Sequence, residues 1–127
     1  MKVDGYEIDV SNREEVYFPA DGLTKGDLID YYQRIAPTML PHLGGRPIAM
    51  QRYPRGIDEY GFYQKEAPEH FPGWIERAEI YVKEEDATQP EVVVSNAATL
   101  VFLADQGAIT LHVWLSRADR INYPDKL

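Results

Sequence analysis

A chain of 127 residues, 44% hydrophobic and 27% charged with nine Tyr, four Phe and two Trp, can build one compact core and is too apolar to stay disordered. It has no cysteine, which excludes a disulfide framework, a thiolate zinc site and a cysteine nucleophile; it has no apolar run near the roughly 20 residues that cross a bilayer and no signal-peptide start, so a soluble cytoplasmic protein without membrane contacts is expected. The formal net charge of −8 repels polyanions as a whole-molecule field, so any nucleic-acid binding has to be local.

Ile8 and Val10 alternate with polar neighbours and predict a short strand, and residues 16–18 run into Pro19 and a turn containing Asp21 and Gly22. Thr24 followed by Asp27 has the form of a capping box, with Asp in place of the usual Glu or Gln, so a helix begins there. Behind the cap, Leu28, Ile29, Tyr32, Ile35, Ala36, Met39, Leu40 and Leu43 recur at spacings of three and four and form one apolar stripe. Pro37 falls inside this pattern and predicts a kink, or a break into two short helices, near Ala36; Gly44 and Gly45 end the segment.

Residues 47–53 read as a strand between the glycine pair and Pro54, and residues 60–65 are expected to pair with it as a hairpin through the turn residues at 54–58. Residues 80–83 and 91–94 predict two further strands, with the acidic run Glu84, Glu85, Asp86 on a solvated loop. Ser95 or Asn96 caps a second helix through Gln106 with Gly107 at its end, and residues 110–115 form a last strand. The expected fold class is mixed α/β (α+β), two main helices packed on a sheet of short mixed strands, in a single domain over residues 1–127.

Generic catalytic signatures are missing: there is no Gly-rich phosphate loop, no G-x-S-x-G elbow and no H-E-x-x-H. His42, His70 and His112 stand too far apart for a contiguous metal box. His42 suits a helix C-terminus, His70 a surface, and His112, which alternates with Leu111 and Val113, reads from the residues alone as a structural histidine. The acidic pairs Asp58 with Glu59 and Asp119 with Asp125 read as solvated carboxylates, so no metal ligand is assigned. Between Gly44 and Lys65 the chain carries Arg46, Arg52, Arg55 and Lys65 against Asp58 and Glu59, a balance of +2 that leaves −10 elsewhere. This window is where consecutive sequence can build a phosphate-seeking surface.

Several runs, read together and in order, carry a family resemblance. They are Asn12-Arg-Glu-Glu-Val-Tyr-Phe-Pro, Gly22-Leu-Thr-Lys-Gly-Asp-Leu, Tyr31-Tyr-Gln-Arg-Ile-Ala-Pro-Thr-Met-Leu-Pro-His-Leu-Gly-Gly-Arg-Pro, Gln51-Arg-Tyr-Pro-Arg-Gly-Ile, Gly61-Phe-Tyr-Gln-Lys-Glu-Ala-Pro, Asn96-Ala-Ala-Thr-Leu and His112-Val-Trp-Leu-Ser-Arg. The chain resembles the N-terminal part of the primase-like polymerase domain of LigD-type end-joining DNA ligases, within the archaeo-eukaryotic primase superfamily. In that family a strand bearing two aspartates one residue apart follows closely on a Pro-Asp-Arg/Lys-Leu sequence, and this chain reaches Pro124-Asp-Lys-Leu. The resemblance therefore implies a DNA-handling portion without the metal-binding aspartates, with no cofactor of its own and magnesium or manganese expected only with that acidic segment.

By the same resemblance Lys25 matches a lysine that holds the 5′ phosphate of the downstream strand, while its partner lysine is replaced by Glu15, which repels a phosphate. Phe62 and Tyr63 match aromatics that stack on template bases, and strand alternation implies one ring buried and one presented. Arg52 and Lys65 match positions lining the template and nucleotide cleft, and His112 a residue that contacts the incoming triphosphate. Lys25, Arg52 and Lys65 are expected to converge on one concave side. Implied partners are 5′-phosphorylated, gapped or recessed DNA ends, a catalytic polymerase half, a ligase and a Ku-type end-binding protein, in a nucleoid-associated location. Alternatives are a free-standing noncatalytic module that binds DNA ends or a repair partner, and an unrelated small-molecule enzyme on the same fold.

Overall fold

The computed structural model describes residues 1–113. In chain order these form β1 (Lys2–Val3), β2 (Tyr6–Glu7), β3 (Val16–Phe18), β4 (Leu23–Thr24), α1 (Lys25–Leu43), β5 (Ile48–Arg52), β6 (Phe62–Gln64), β7 (Arg77–Val82), β8 (Ala87–Val92), α2 (Ala97–Asp105) and β9 (Ala108–Val113). Among the described residues no helix is long and apolar enough to cross a membrane.

The chain opens on a two-residue hairpin in which Asp4 and Gly5 both take positive φ, 52° and 83°, as a mirror-image turn requires. The strand expected around Ile8 and Val10 is absent. Ile8 is buried instead by packing, with its amide donating to the Met1 carbonyl at 2.8 Å. The hairpin also serves α2: the Asp4 carboxylate accepts from the Ala97 and Ala98 amides at 3.0 and 3.3 Å, beside the Asn96 side chain, which accepts from Thr99 at 2.8 Å. A helix N-terminus has four unpaired donors and a partial positive charge, so an anion and an amide oxygen there satisfy both. With residues 98–104 all buried, α2 is apolar on every side and forms the middle of the core.

The capping box predicted for α1 is present in both directions, Asp27 N–H to Thr24 Oγ1 at 3.2 Å and Thr24 N–H to Asp27 Oδ2 at 2.8 Å. Neither Pro37 nor Pro41 breaks the helix, so of the two outcomes expected at Ala36 the break into two short helices does not occur. Both prolines are exposed and stand four residues apart, so the carbonyls they leave unpaired lie on the outer side, while Leu28, Ile29, Tyr32, Ala36 and Leu43 stay buried. Packing of that inner stripe holds the helix together where propensity would not.

The strands form four small sheets rather than the single sheet expected: β1-β2, β3-β4, β6-β5-β9 and β7-β8, all antiparallel, with a lone bridge Pro47–Val93 linking the last two. Strands of two to six residues separated by turns leave no long edge on which a continuous sheet could grow. The predicted hairpin of β5 with β6 is present, in the register Met50–Gln64, Gln51–Tyr63 and Arg52–Phe62. On the other side β9 pairs Ile48 with Val113 and Ala49 with His112. Residues 114 and 115 of the predicted last strand lie outside the described residues. The acidic run Glu84, Glu85, Asp86 occupies the exposed turn of the β7-β8 hairpin, as expected.

Two tyrosines fasten the layers. Tyr17, fully buried, donates to the Pro54 carbonyl at 2.9 Å, and Tyr32 on α1 donates to the Ala108 carbonyl at 2.9 Å. Burial pushes both phenols up to about 12. A phenol whose folded pKa lies above its unfolded value of about 10 contributes stability below pH 10 that is lost as pH rises through 12. Alkaline titration is therefore expected to unfold the protein across that window, with two of the nine tyrosines ionising only as circular dichroism is lost. Smooth ionisation of all nine before any unfolding would contradict this.

Candidate functional site

Strand alternation sorts the residues of β5, β6 and β9 onto two faces. Arg52, Phe62 and Gln64 share the inner face with buried Ile48 and Met50, while Ala49, Gln51, Tyr63 and His112 share the outer one. Each face opens on a cavity.

The outer cavity, about 530 Å³, lies between this sheet and the β7-β8 hairpin and is lined by Tyr63, Lys65 and His112 on one side and by Ile80, Tyr81, Glu84 and Gln89 on the other. Tyr63 is half exposed; His112 is tilted against its ring at 5.5 Å and Lys65 Nζ stands 5.9 Å from its centroid. A presented ring flanked by a cation and an imidazole is an arrangement that takes a flat, electron-rich ring bearing an anionic tail. The turn opposite is fixed by Tyr81 Oη donating to Asp86 Oδ1 at 2.6 Å, a bond that raises the Tyr81 pKa.

The inner cavity, about 480 Å³, is lined by Asn12, Glu15, Lys25, Arg52, Pro54, Arg55, Asp105 and Gln106. Lys25 opens α1 and is buried; its Nζ lies 2.9 Å from Asp105 Oδ1 and donates to Ser11 Oγ at 3.4 Å, and the Ser11 amide donates to the same carboxylate oxygen at 3.0 Å. Arg55 Nε donates to Glu15 Oε1 at 2.8 Å. The Arg52 guanidinium donates to the Gln106 carbonyl, Gln106 Oε1 and Gln64 Oε1 at 2.8, 3.1 and 2.8 Å and stacks over Phe62 at 5.0 Å; burial lowers its pKa from the ordinary arginine value.

Residues 24–127 match the family model described as LigD, primase-polymerase domain. The chain belongs to this family. It is 36% identical over 104 residues to the multifunctional non-homologous end joining protein LigD of Mycolicibacterium smegmatis, and 35% identical over 106 residues to the corresponding repair protein of Mycobacterium tuberculosis. These alignments take in 82% and 84% of this chain but only 13% and 14% of those proteins. The polymerase domain of Mycobacterium tuberculosis ligase D in complex with DNA superposes with a TM-score of 0.83 at 33% identity, over 87% of this chain and 38% of that one.

Within this LigD polymerase fold the candidate residues divide. Tyr63, Lys65 and His112 meet in the outer cavity; Lys25 and Arg52 meet in the inner one. The convergence expected of Lys25, Arg52 and Lys65 thus holds for the first two, because Arg52 and Lys65 fall on opposite faces of the hairpin. The ring next to Tyr63 behaves as alternation requires: Phe62 turns inward, half-buried under Arg52 and beside the exposed Tyr60, 6.2 Å away. Lys25 lines the inner cavity but is buried and paired with Asp105. In the basic window Arg46 is buried and Arg55 is bridged to Glu15, so residues 44–65 form no continuous cationic surface.

Asp58 and Glu59 are exposed, and Asp119 and Asp125 lie outside the described residues; among the described residues no three His, Asp or Glu side chains gather to hold a metal ion. Sequence reasoning missed Asp105. The signal for it was an acid at the last position of a helix, where the partial negative charge of the dipole opposes it and some other charge has to hold it.

Proposed function

We propose that this chain is a DNA-end- and template-binding portion of a non-homologous end-joining primase-polymerase that works with an ATP-dependent DNA ligase. The observation that carries the reading is the half-exposed Tyr63 ring between Lys65 and His112 at the mouth of a cavity, in a fold whose solved neighbour is in complex with DNA. In this reading Tyr63 stacks on a template base, Lys65 meets a backbone phosphate and His112 contacts the nucleotide phosphates. Arg52 braces Phe62 from the inner face, and Lys25 is the group that meets a 5′ phosphate. Magnesium or manganese would be held by an acidic segment; the 127 residues contain no two aspartates one residue apart, and no catalytic step is assigned to them.

The test is fluorescence anisotropy on a gapped, 5′-phosphorylated duplex. Tyr63→Ala is expected to weaken binding by about 1–3 kcal/mol, the range for one stacked base, and to have no effect on a blunt duplex without unpaired template. Because Lys25 and Arg55 are already paired with carboxylates and the net charge is −8, affinity should fall with salt along a shallow slope. The chain alone is expected not to extend a primer with either metal. Unchanged gap binding by Tyr63→Ala would remove the template role, and metal-dependent incorporation by the purified chain would show that the ligands are already present.

A further inference from the structure

The inner cavity gathers three cations, Lys25, Arg52 and Arg55, and two anions, Glu15 and Asp105. Each anion is already bonded to one cation, Asp105 to Lys25 at 2.9 Å and Glu15 to Arg55 at 2.8 Å, while Arg52 gives its bonds to Gln106 and Gln64. The backbone donors at the start of α1 are also engaged. The Lys25 and Gly26 amides donate to the Glu15 and Arg13 carbonyls at 2.8 and 2.9 Å, and the Asp27 amide to Thr24. An incoming anion therefore finds no vacant donor of the helix start, and every cation it can approach is shared with a carboxylate or an amide oxygen.

The two charges of the buried pair stand on helix ends that disfavour them. Lys25 is the first residue of α1, where the dipole is positive, and Asp105 the last of α2, where it is negative. Stability by itself would place them the other way round. We infer that the inner cavity is an anion site filled by the protein's own carboxylates, and that Asp105 and Glu15 are the residues that set how strongly it prefers a terminal phosphate. Asp105 occupies the position over Lys25 that a phosphate oxygen would take, and Glu15 holds Arg55 at the rim. A 5′-phosphorylated end then binds only by displacing them, and a 5′-hydroxyl end, which asks for no displacement, binds almost as well.

This inference rests on the DNA-end reading of the chain, and the experiment separates the two. Wild type, Asp105→Asn, Glu15→Gln and a distant control, Glu79→Gln, are titrated by anisotropy with recessed duplexes that differ only in a 5′ phosphate or 5′ hydroxyl. Asp105→Asn keeps an oxygen for Ser11 and Lys25 while removing the charge, and Glu15→Gln likewise keeps an oxygen for Arg55. The wild-type preference for phosphate is expected to be small, and each of the two variants to raise it about five- to tenfold by removing one nearby like charge, with the control unchanged. If Asp105→Asn unfolds by circular dichroism, Glu15→Gln decides. An unaltered preference with duplex binding intact would overturn the role of the carboxylates and leave the DNA-end reading standing. Loss of binding to both duplexes in every protein, wild type included, would overturn both.

Discussion

Asp105→Ala is expected to lower the free energy of unfolding by about 3–5 kcal/mol, because it leaves the Lys25 ammonium buried without its counter-charge. The side chains of the pair are 5% and 8% exposed, so water cannot substitute for the missing partner, and the Ser11 amide loses its acceptor as well. Against a total of about 5–15 kcal/mol for a domain this is a large share. Lys25→Met with Asp105→Ala removes both charges and should be no less stable than Asp105→Ala alone, giving a coupling within the usual range of about 0.5–3 kcal/mol for residues in contact. Urea denaturation of wild type, Lys25→Met, Asp105→Ala and the double variant at neutral pH measures this. A loss below about 1 kcal/mol for Asp105→Ala, or strict additivity in the double variant, would mean that the pair is hydrated and weak, as exposed ion pairs are.

The same pair marks where sequence reading stopped. Local signals were legible because their cause is local: Thr24 with Asp27 and Asn96 with Thr99 are caps made within four residues, and the β5-β6 hairpin follows from turn chemistry between two short apolar runs. The Asp4-Gly5 turn is equally local, whereas the alternation at Ile8 and Val10 reflects packing and not pairing. The sequence links Lys25 to a phosphate and not to Asp105, because its partner lies 80 positions later and no spacing rule connects the two. The separation of Arg52 from Lys65 needed the hairpin register, since a shift of one residue would have placed them together.

The two cavities share a structural origin. β5 contributes Arg52 to one and Ala49 to the other, and its register with β6 and β9 decides which cation serves which side. After β5 the chain turns through Pro54, Arg55 and Gly56, and the Tyr53 amide donates to the Gly107 carbonyl at 2.7 Å, next to Gln106, whose carbonyl receives Arg52. The end of α2 is thus tied to the loop that carries Arg55, so a disturbance at Gly107 should reach the inner cavity before it reaches the outer one.

Gly107→Ala should accordingly be among the most damaging single changes. Gly107 takes φ +79°, and a β-carbon there would stand 2.9 Å from Pro54 Cα and 3.0 Å from the Tyr53 carbonyl carbon, both backbone atoms that cannot rotate aside. The left-handed conformation costs a side-chain-bearing residue about 1–2 kcal/mol and a forced backbone shift about 1–3 more, so a total near 2–5 kcal/mol is expected. Gly22→Ala separates the two contributions, because Gly22 has φ +69° and a β-carbon there would meet nothing within 4 Å. It should lose only the conformational part, about 1–2 kcal/mol. Gly73→Ala, with open space and no left-handed φ, should stay within about 0.5 kcal/mol of wild type. Denaturation midpoints of the three variants give the ordering. Equal losses for Gly107→Ala and Gly22→Ala would mean that the Pro54 loop moves away freely, and then Arg55 would not be held at the cavity rim by the end of α2.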